Sequence, residues 1–449
     1  MKVLFANPPW WAERHLVNRP DGSGQREIWR AGLRAGSRWP HTNMIRSTPD
    51  KFVHGDYIPY PFFMGFAVTY VQQNTDAEVT FRDSIALRES YESFFRHIDE
   101  QQYDYLFIET ATPSWEHDLV VMRHIRGLLP NCRIVITGPI VNSPSLAEAE
   151  GLYHAAIKGE YEKGSVKVLN GATGIIDYDM LTVEEMNAAP FPYLDAVYAT
   201  RYWDDNPKGQ IWPQMQIWGS RGCPYKCIFC VWPATMTGND PDGSGKRSVR
   251  HYNGRYLEAW IRHFLTIHPF RCVYFDDDTF NLGGRHVLDV CDTMERIGLP
   301  WSAMCRADTI PIEVWPRMKD TGCFGVKIGF ESGNQHVVDN IVNKRLNLER
   351  ARDVVAFIKS LGMTVHGTFT YGLPGETREQ MEDTLRYRQS LDLDTFQESG
   401  TAEIEGTPLA LLREKGSLDR YSGASMAEDY HVESDGARKL GHMSRELQL

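Results

Sequence analysis

The chain of 449 residues is 42% hydrophobic and 24% charged, an ordinary globular composition long enough for two or three domains without disulfide staples. Its 48 Lys and Arg against 59 Asp and Glu leave a net charge of −11, which argues against nucleic-acid binding, because that needs clustered positive charge. No run of about 18 apolar residues marks a membrane span, and the N-terminal stretch lacks the length and cleavage pattern of a secretory signal, so a cytoplasmic protein is expected.

In chain order, short runs rich in apolar, β-branched or aromatic residues at 3–6, 78–81, 105–109, 133–137 and 155–157 read as strands. Helical patterns at 90–100 and 116–129 separate some of them. Such alternation predicts an α/β domain with a parallel, doubly wound, Rossmann-like sheet over 1–165. The segment from 11 to 60 breaks the rhythm with Arg, Gly, Trp and Pro and reads as a long insertion or lid. Within it, Trp29, Trp39, Arg30, Arg34 and Arg38 either shape that lid, contact an anionic cofactor tail, or form a solvated basic face. Pro190, Pro192 and Pro207 mark a linker over 166–208.

A second alternating series follows over 209–412. Strands are expected at 214–218, 272–275, 301–305, 325–329, 365–371 and 395–401, with helices at 256–266, 348–361 and 378–391. Six β/α units predict a partial (β/α)6 barrel of TIM type, with its chemistry at the C-terminal ends of the strands. A polar tail is expected over 413–449.

Eight cysteines stand at 132, 223, 227, 230, 272, 291, 305 and 323. Three fall together in Gly222-Cys-Pro-Tyr-Lys-Cys-Ile-Phe-Cys230, in a loop after the first expected barrel strand. Thiolates this close can wrap one face of an inorganic cluster. Three cysteines on a four-iron cubane leave one iron open to a small ligand, as open metal positions do elsewhere. A zinc site would need a fourth ligand at suitable spacing. The remaining cysteines are scattered and read as small apolar core residues.

Cys223-x3-Cys227-x2-Cys230, with Phe229 before the last cysteine, resembles the motif of the radical S-adenosylmethionine (SAM) superfamily. That resemblance implies a [4Fe-4S] cluster held by Cys223, Cys227 and Cys230, and SAM chelating the open iron. Reductive cleavage then yields a 5′-deoxyadenosyl radical, with flavodoxin or ferredoxin as the kind of reductase that supplies the electron. Glu331 and Ser332, in Ile328-Gly-Phe-Glu-Ser-Gly333, resemble the family segment that contacts the methionyl amine and ribose. Gly372 and Gly375, in Gly372-Leu-Pro-Gly-Glu376, resemble the glycine-rich turn near the adenine. Glu405-Gly-Thr-Pro408 resembles the last-strand segment, with Glu405 where the family often has proline. Arg306 either pairs the cofactor carboxylate or forms a salt bridge with Asp308, and Asp276-Asp277-Asp278-Thr279 either contacts cofactor or substrate or caps a helix.

A doubly wound domain before such a barrel is similar to the cobalamin-binding subclass. The loops that carry this resemblance hold Asn7, Pro8 and Pro9, then Asp83 and Ser84, Thr110, Thr112 and Ser114, Gly138, and finally Gly159 and Glu160. All follow strands, at the edge where such folds bind ligands. No Asp-x-His-x-x-Gly occurs in the first 200 residues, so a histidine-ligated mode of cobalamin binding is not expected. The resemblance implies a cobalamin-dependent C-methyltransferase acting on an unactivated carbon of a small molecule, lipid or peptide. A non-methylating rearrangement, cyclisation or oxidation begins with the same hydrogen abstraction, and a non-catalytic iron–sulfur protein is the remaining alternative.

Overall fold

The computed structural model describes residues 1–18, 25–32, 41–45, 57–401 and 404–414. Arg34, Arg38 and Trp39 of the insertion, and the tail from 415 onward, lie outside the described residues.

The N-terminal sheet is parallel, in the spatial order Gly174–Ile176, Ala155–Ile157, Arg133–Thr137, Tyr105–Glu109, Lys2–Asn7, Glu78–Asp83. Its central strands are apolar on both faces because helices cover both. Val3, Phe5 and Phe107 point into a core shared with helix Phe62–Asn74. Leu4, Ala6, Leu106 and Ile108 point into a second core with helices Tyr91–Gln101 and Trp115–Leu128. The chain builds outward from the first strand in one direction and then the other. That leaves a switch point beside Asn7 and Thr110, where doubly wound folds open a crevice. The sixth strand, Gly174–Ile176, carries this sheet into the segment 166–208.

The insertion forms a second, mainly antiparallel sheet. Strands Trp11–Asn18, Gln25–Gly32, His41–Ile45 and Tyr57–Ile58 are joined by Trp203–Asp204. Trp29 and Arg30 fall on the second of these strands.

The third sheet is the partial barrel, six parallel strands in sequential order: Gln214–Ile217, Cys272–Phe275, Trp301–Cys305, Cys323–Glu331, Thr364–Tyr371 and Thr395–Gly400. Asp204 closes its amino end. Its carboxylate meets Lys327, and its backbone exchanges 2.9 Å hydrogen bonds with the Gln214 amide. The opposite, carboxyl end is therefore the open one. The two domains share one apolar core. Phe62 stacks on Trp218 at 4.3 Å between ring centroids, and Phe66 packs edge-on against Trp260 at 5.4 Å. Among the described residues no helix is long and apolar enough to cross a membrane.

Candidate functional site

The first barrel strand runs into a two-stranded ladder in which Ser220–Arg221 pairs with Arg250–His251. The three-cysteine loop leaves and re-enters through this ladder. Gly222 takes φ +90°, and a Cβ there would lie 2.5 Å from the Ser248 carbonyl oxygen, so the loop needs glycine at its root. The loop is latched from two sides. The Ile228 amide donates to the Val342 carbonyl at 3.1 Å, and the Leu409 amide donates to the Ile228 carbonyl at 3.0 Å. The Asn343 amide side chain donates to the Lys226 carbonyl, and a buried Arg247, paired with Asp240 at 2.9 Å, donates to the Tyr225 carbonyl. A cleft of about 320 Å³ runs beside the latch, lined by Ile228, Ile341, Asn343, Pro374 and Leu409.

All three thiols are free. Cys223 and Cys227 are buried and Cys230 is half-buried. Cys223 Sγ lies 3.5 Å from the Thr279 hydroxyl at the end of the second strand, and burial pushes this thiol up to about 11. A hydrogen bond from Cys230 holds Cys227 down at about 7, with Lys344 and Arg306 acting in the same sense, and raises Cys230 itself. Among the described residues no three His, Cys, Asp or Glu side chains converge as ligands of one metal ion.

Glu331 ends the fourth strand at φ +68°, a conformation that costs a non-glycine residue about 1–3 kcal/mol. Its carboxylate accepts from Lys344 Nζ at 2.8 Å and from the Thr370 hydroxyl at 3.1 Å. Ser332 is buried against the Thr384 hydroxyl at 2.9 Å. Lys344, absent from the sequence expectations, reaches Glu331 because the chain turns back through a π-helical segment, Val337–Ile341. Such turns are frequent at functional sites. Burial opposes its charge, but Glu331 and Cys227 hold the ammonium above its ordinary value.

Arg306 makes the salt bridge to Asp308. It forks onto Asp308 with two 2.9 Å bonds, donates to the Lys344 carbonyl, and lies 3.6 Å above the Tyr225 ring of the cysteine loop. Asp277 accepts from the Gly219 amide at 2.9 Å and the Ser220 hydroxyl at 2.6 Å, and burial lifts it to about 7. Gly372 and Gly375 both take positive φ in the turn after the fifth strand. The Glu376 carboxyl is buried behind that turn, accepts from the Leu373 amide at 3.1 Å, and is raised by burial to about 7. Phe229 packs with Cys227, Val337, Ile341 and Leu373.

The N-terminal candidates share one sheet edge, but most of their side chains are engaged locally. Asn7 donates to Asp83 at 2.9 Å. Asp83 caps the turn Ser84–Leu87 through the Ile85 and Ala86 amides and is raised by burial to about 6. Ser84 donates to Glu89, Thr110 to the Thr137 carbonyl and Ser114 to Asp118. Pro8 and Pro9 are buried. Gly138 and Gly159 take positive φ, and a Cβ on Gly138 would lie 2.1 Å from the Thr110 carbonyl oxygen. Thr112 accepts from the Glu405 amide of the barrel at 2.8 Å, and Glu405 accepts from Ser145. Glu160 meets two barrel arginines, Arg221 and Arg250.

Residues 219–388 match the radical SAM superfamily. An uncharacterized methyltransferase of Pyrococcus horikoshii, PH0819, is 24% identical over 376 residues, covering 78% of this chain and 77% of its own. Among solved structures, the radical SAM methyltransferase TsrM from Kitasatospora setae superposes with a TM-score of 0.65 at 14% identity, over 92% of this chain and 76% of its own. The cobalamin-dependent radical SAM enzyme OxsB superposes with a TM-score of 0.59 at 14% identity, over 94% of this chain and 56% of its own. The match over residues 219–388 puts a radical SAM domain around the cysteine loop at the mouth of the six-stranded partial barrel, and the chain as a whole shares the two-domain fold of TsrM and OxsB.

Proposed function

We propose that the protein is a cobalamin-dependent radical SAM methyltransferase that modifies a carbon atom of a biosynthetic small molecule, lipid or peptide. The observation that carries this reading is the juxtaposition of two open edges. The cysteine loop stands at the barrel mouth, and the barrel's last segment and ladder reach the carboxyl edge of the doubly wound sheet through Thr112–Glu405 and Glu160–Arg221. TsrM and OxsB, whose fold this chain shares, are described with cobalamin bound.

The residues fit both groups. Three thiols outside any disulfide on one latched loop suit a cluster, and the switch point beside Asn7 and Thr110 suits a flat cofactor. When bound, the cluster with SAM supplies one-electron cleavage of a carbon–sulfur bond, and cobalamin supplies methyl transfer. In this reading Glu331 accepts from the methionyl amine, and Lys344, already paired with Glu331, neutralises that carboxylate. The Glu331 carboxylate is fixed between Lys344 and Thr370, and the apolar contacts of Phe229, Val337 and Leu373 exclude water from the thiols. A reductant of the flavodoxin or ferredoxin kind supplies the electron.

The test is anaerobic incubation of the reconstituted protein with methyl-labelled SAM, hydroxocobalamin and a strong reductant. Release of 5′-deoxyadenosine together with label recovered on the corrin supports the reading. 5′-Deoxyadenosine without label on the corrin sinks the methyltransferase assignment and leaves the radical one.

A further inference from the structure

A buried cluster of two carboxylates and two guanidinium groups lies where the two domains meet. Arg221 is 1% exposed and donates to Glu160 at 3.0 Å and to Glu162 at 2.6 Å. Its Nε donates to the Tyr252 hydroxyl at 2.8 Å, and its guanidinium lies 4.2 Å above the Phe66 ring. Arg250 pairs with Glu160 through both of its terminal nitrogens and also donates to the Leu181 and Thr237 carbonyls. Arg221 and Arg250 are register partners in the ladder that bounds the cysteine loop, and Cys223 follows Arg221 by two positions. Glu160 and Glu162 belong to the loop and helix start after the fifth strand of the N-terminal sheet, at its carboxyl edge. The Glu160 amide also donates to the Met236 carbonyl inside the cysteine loop at 2.9 Å.

A buried ion-pair network of this kind has few alternative arrangements, because separating any pair strands an unsolvated charge. The carboxylate of Glu160 is occupied by the two arginines, so it is a tie between domains and not a side chain free to meet a ligand. A ligand seated against the backbone of 158–160 therefore acts on the cysteine loop through two rigid links, the Met236 hydrogen bond and the arginine pair. Linkage makes the effect reciprocal.

We propose that the Glu160–Glu162–Arg221–Arg250 network is a coupling device through which occupancy of the N-terminal crevice by a corrin and assembly of the cluster reinforce one another. This rests on the cobalamin reading above but adds a property that reading does not require, since two cofactors can share a substrate without sensing each other. Glu160, Glu162, Arg221 and Arg250 are positioning residues in this scheme.

The experiment is a hydroxocobalamin titration, followed by quenching of tryptophan fluorescence, on the full chain before and after anaerobic reconstitution with iron and sulfide. Wild type is expected to bind the corrin about ten-fold more tightly once the cluster is present, within the usual range of coupling between sites. Glu162→Gln, which keeps side-chain volume and removes one charge, is expected to bring the two dissociation constants together while both forms still bind. Glu160→Gln is the second variant, and circular dichroism checks that each is folded. Equal affinities in wild type, or a ten-fold difference that persists in both folded variants, overturns the coupling and leaves the cobalamin reading standing. No corrin binding by any form overturns both.

Discussion

Glu331 is the residue to which the proposed function gives recognition of the SAM amine. Its two oxygens face Lys344 and Thr370, and hydrogen bonds to charged groups contribute about 1.5–3 kcal/mol. Glu331→Gln is expected to weaken SAM binding about ten-fold or more with iron content unchanged, as measured by equilibrium dialysis of the reconstituted protein. Loss of iron instead would show that Glu331 supports the loop and not the ligand. Glu376 makes a second residue-level prediction. Its carboxyl is raised from 4.5 to about 7 by burial, so the charged form is the one the fold disfavours. Its contribution to stability is complete below pH 4.5 and is lost as pH rises through about 7. Glu376→Gln should stabilise the apoprotein at alkaline pH, by about 3 kcal/mol at most, and change little near pH 5. Urea unfolding at both pH values reads this directly, and equal effects at the two would contradict the assignment. Sequence alone named Glu331 because it ends a strand inside a motif. It missed Lys344, which lies 13 positions later and reaches the site only through the π-helical turn.

At the scale of elements, the cysteine loop is a latched unit whose geometry depends on its root. Gly222→Ala places a Cβ 2.5 Å from the Ser248 carbonyl oxygen at a positive φ, a strain of about 1–3 kcal/mol or more. The variant should retain the circular dichroism of wild type but take up markedly less iron and sulfide, and full iron uptake would contradict a root that needs glycine. The central strands of both parallel sheets were legible because each is a compact apolar run covered on both faces, as Tyr105–Glu109 and Cys272–Phe275 show. The helices expected from 90, 256, 348 and 378 start within two residues of those positions, capped in the structure by Ser90, Asn253, Asn347 and Thr377. The antiparallel sheet of Trp11–Asn18, Gln25–Gly32 and His41–Ile45 was not legible, because its charged and polar residues blur the period-two pattern that marks a strand. Gly174–Ile176 was missed for a different reason. It is a three-residue edge strand, held by pairing to Ala155–Ile157 and not by its own composition.

At the scale of the molecule, one apolar core and one buried charge network join the domains, and neither has a sequence signature. Phe62 meets Trp218 across 156 positions of chain, and Glu160 meets Arg221 across 61. Such pairs are set by how two folds dock, which periodicity cannot express. The docking holds the cysteine loop and its ladder against the carboxyl edge of the doubly wound sheet, and the proposed function needs a cluster on the one and a corrin on the other. The most direct test is anaerobic reconstitution with iron, sulfide and hydroxocobalamin, then gel filtration and metal analysis of the protein peak. The account predicts a four-iron cluster absorbance together with cobalt and corrin bands co-eluting with the chain. A chain that retains the cluster but elutes free of cobalt would contradict it.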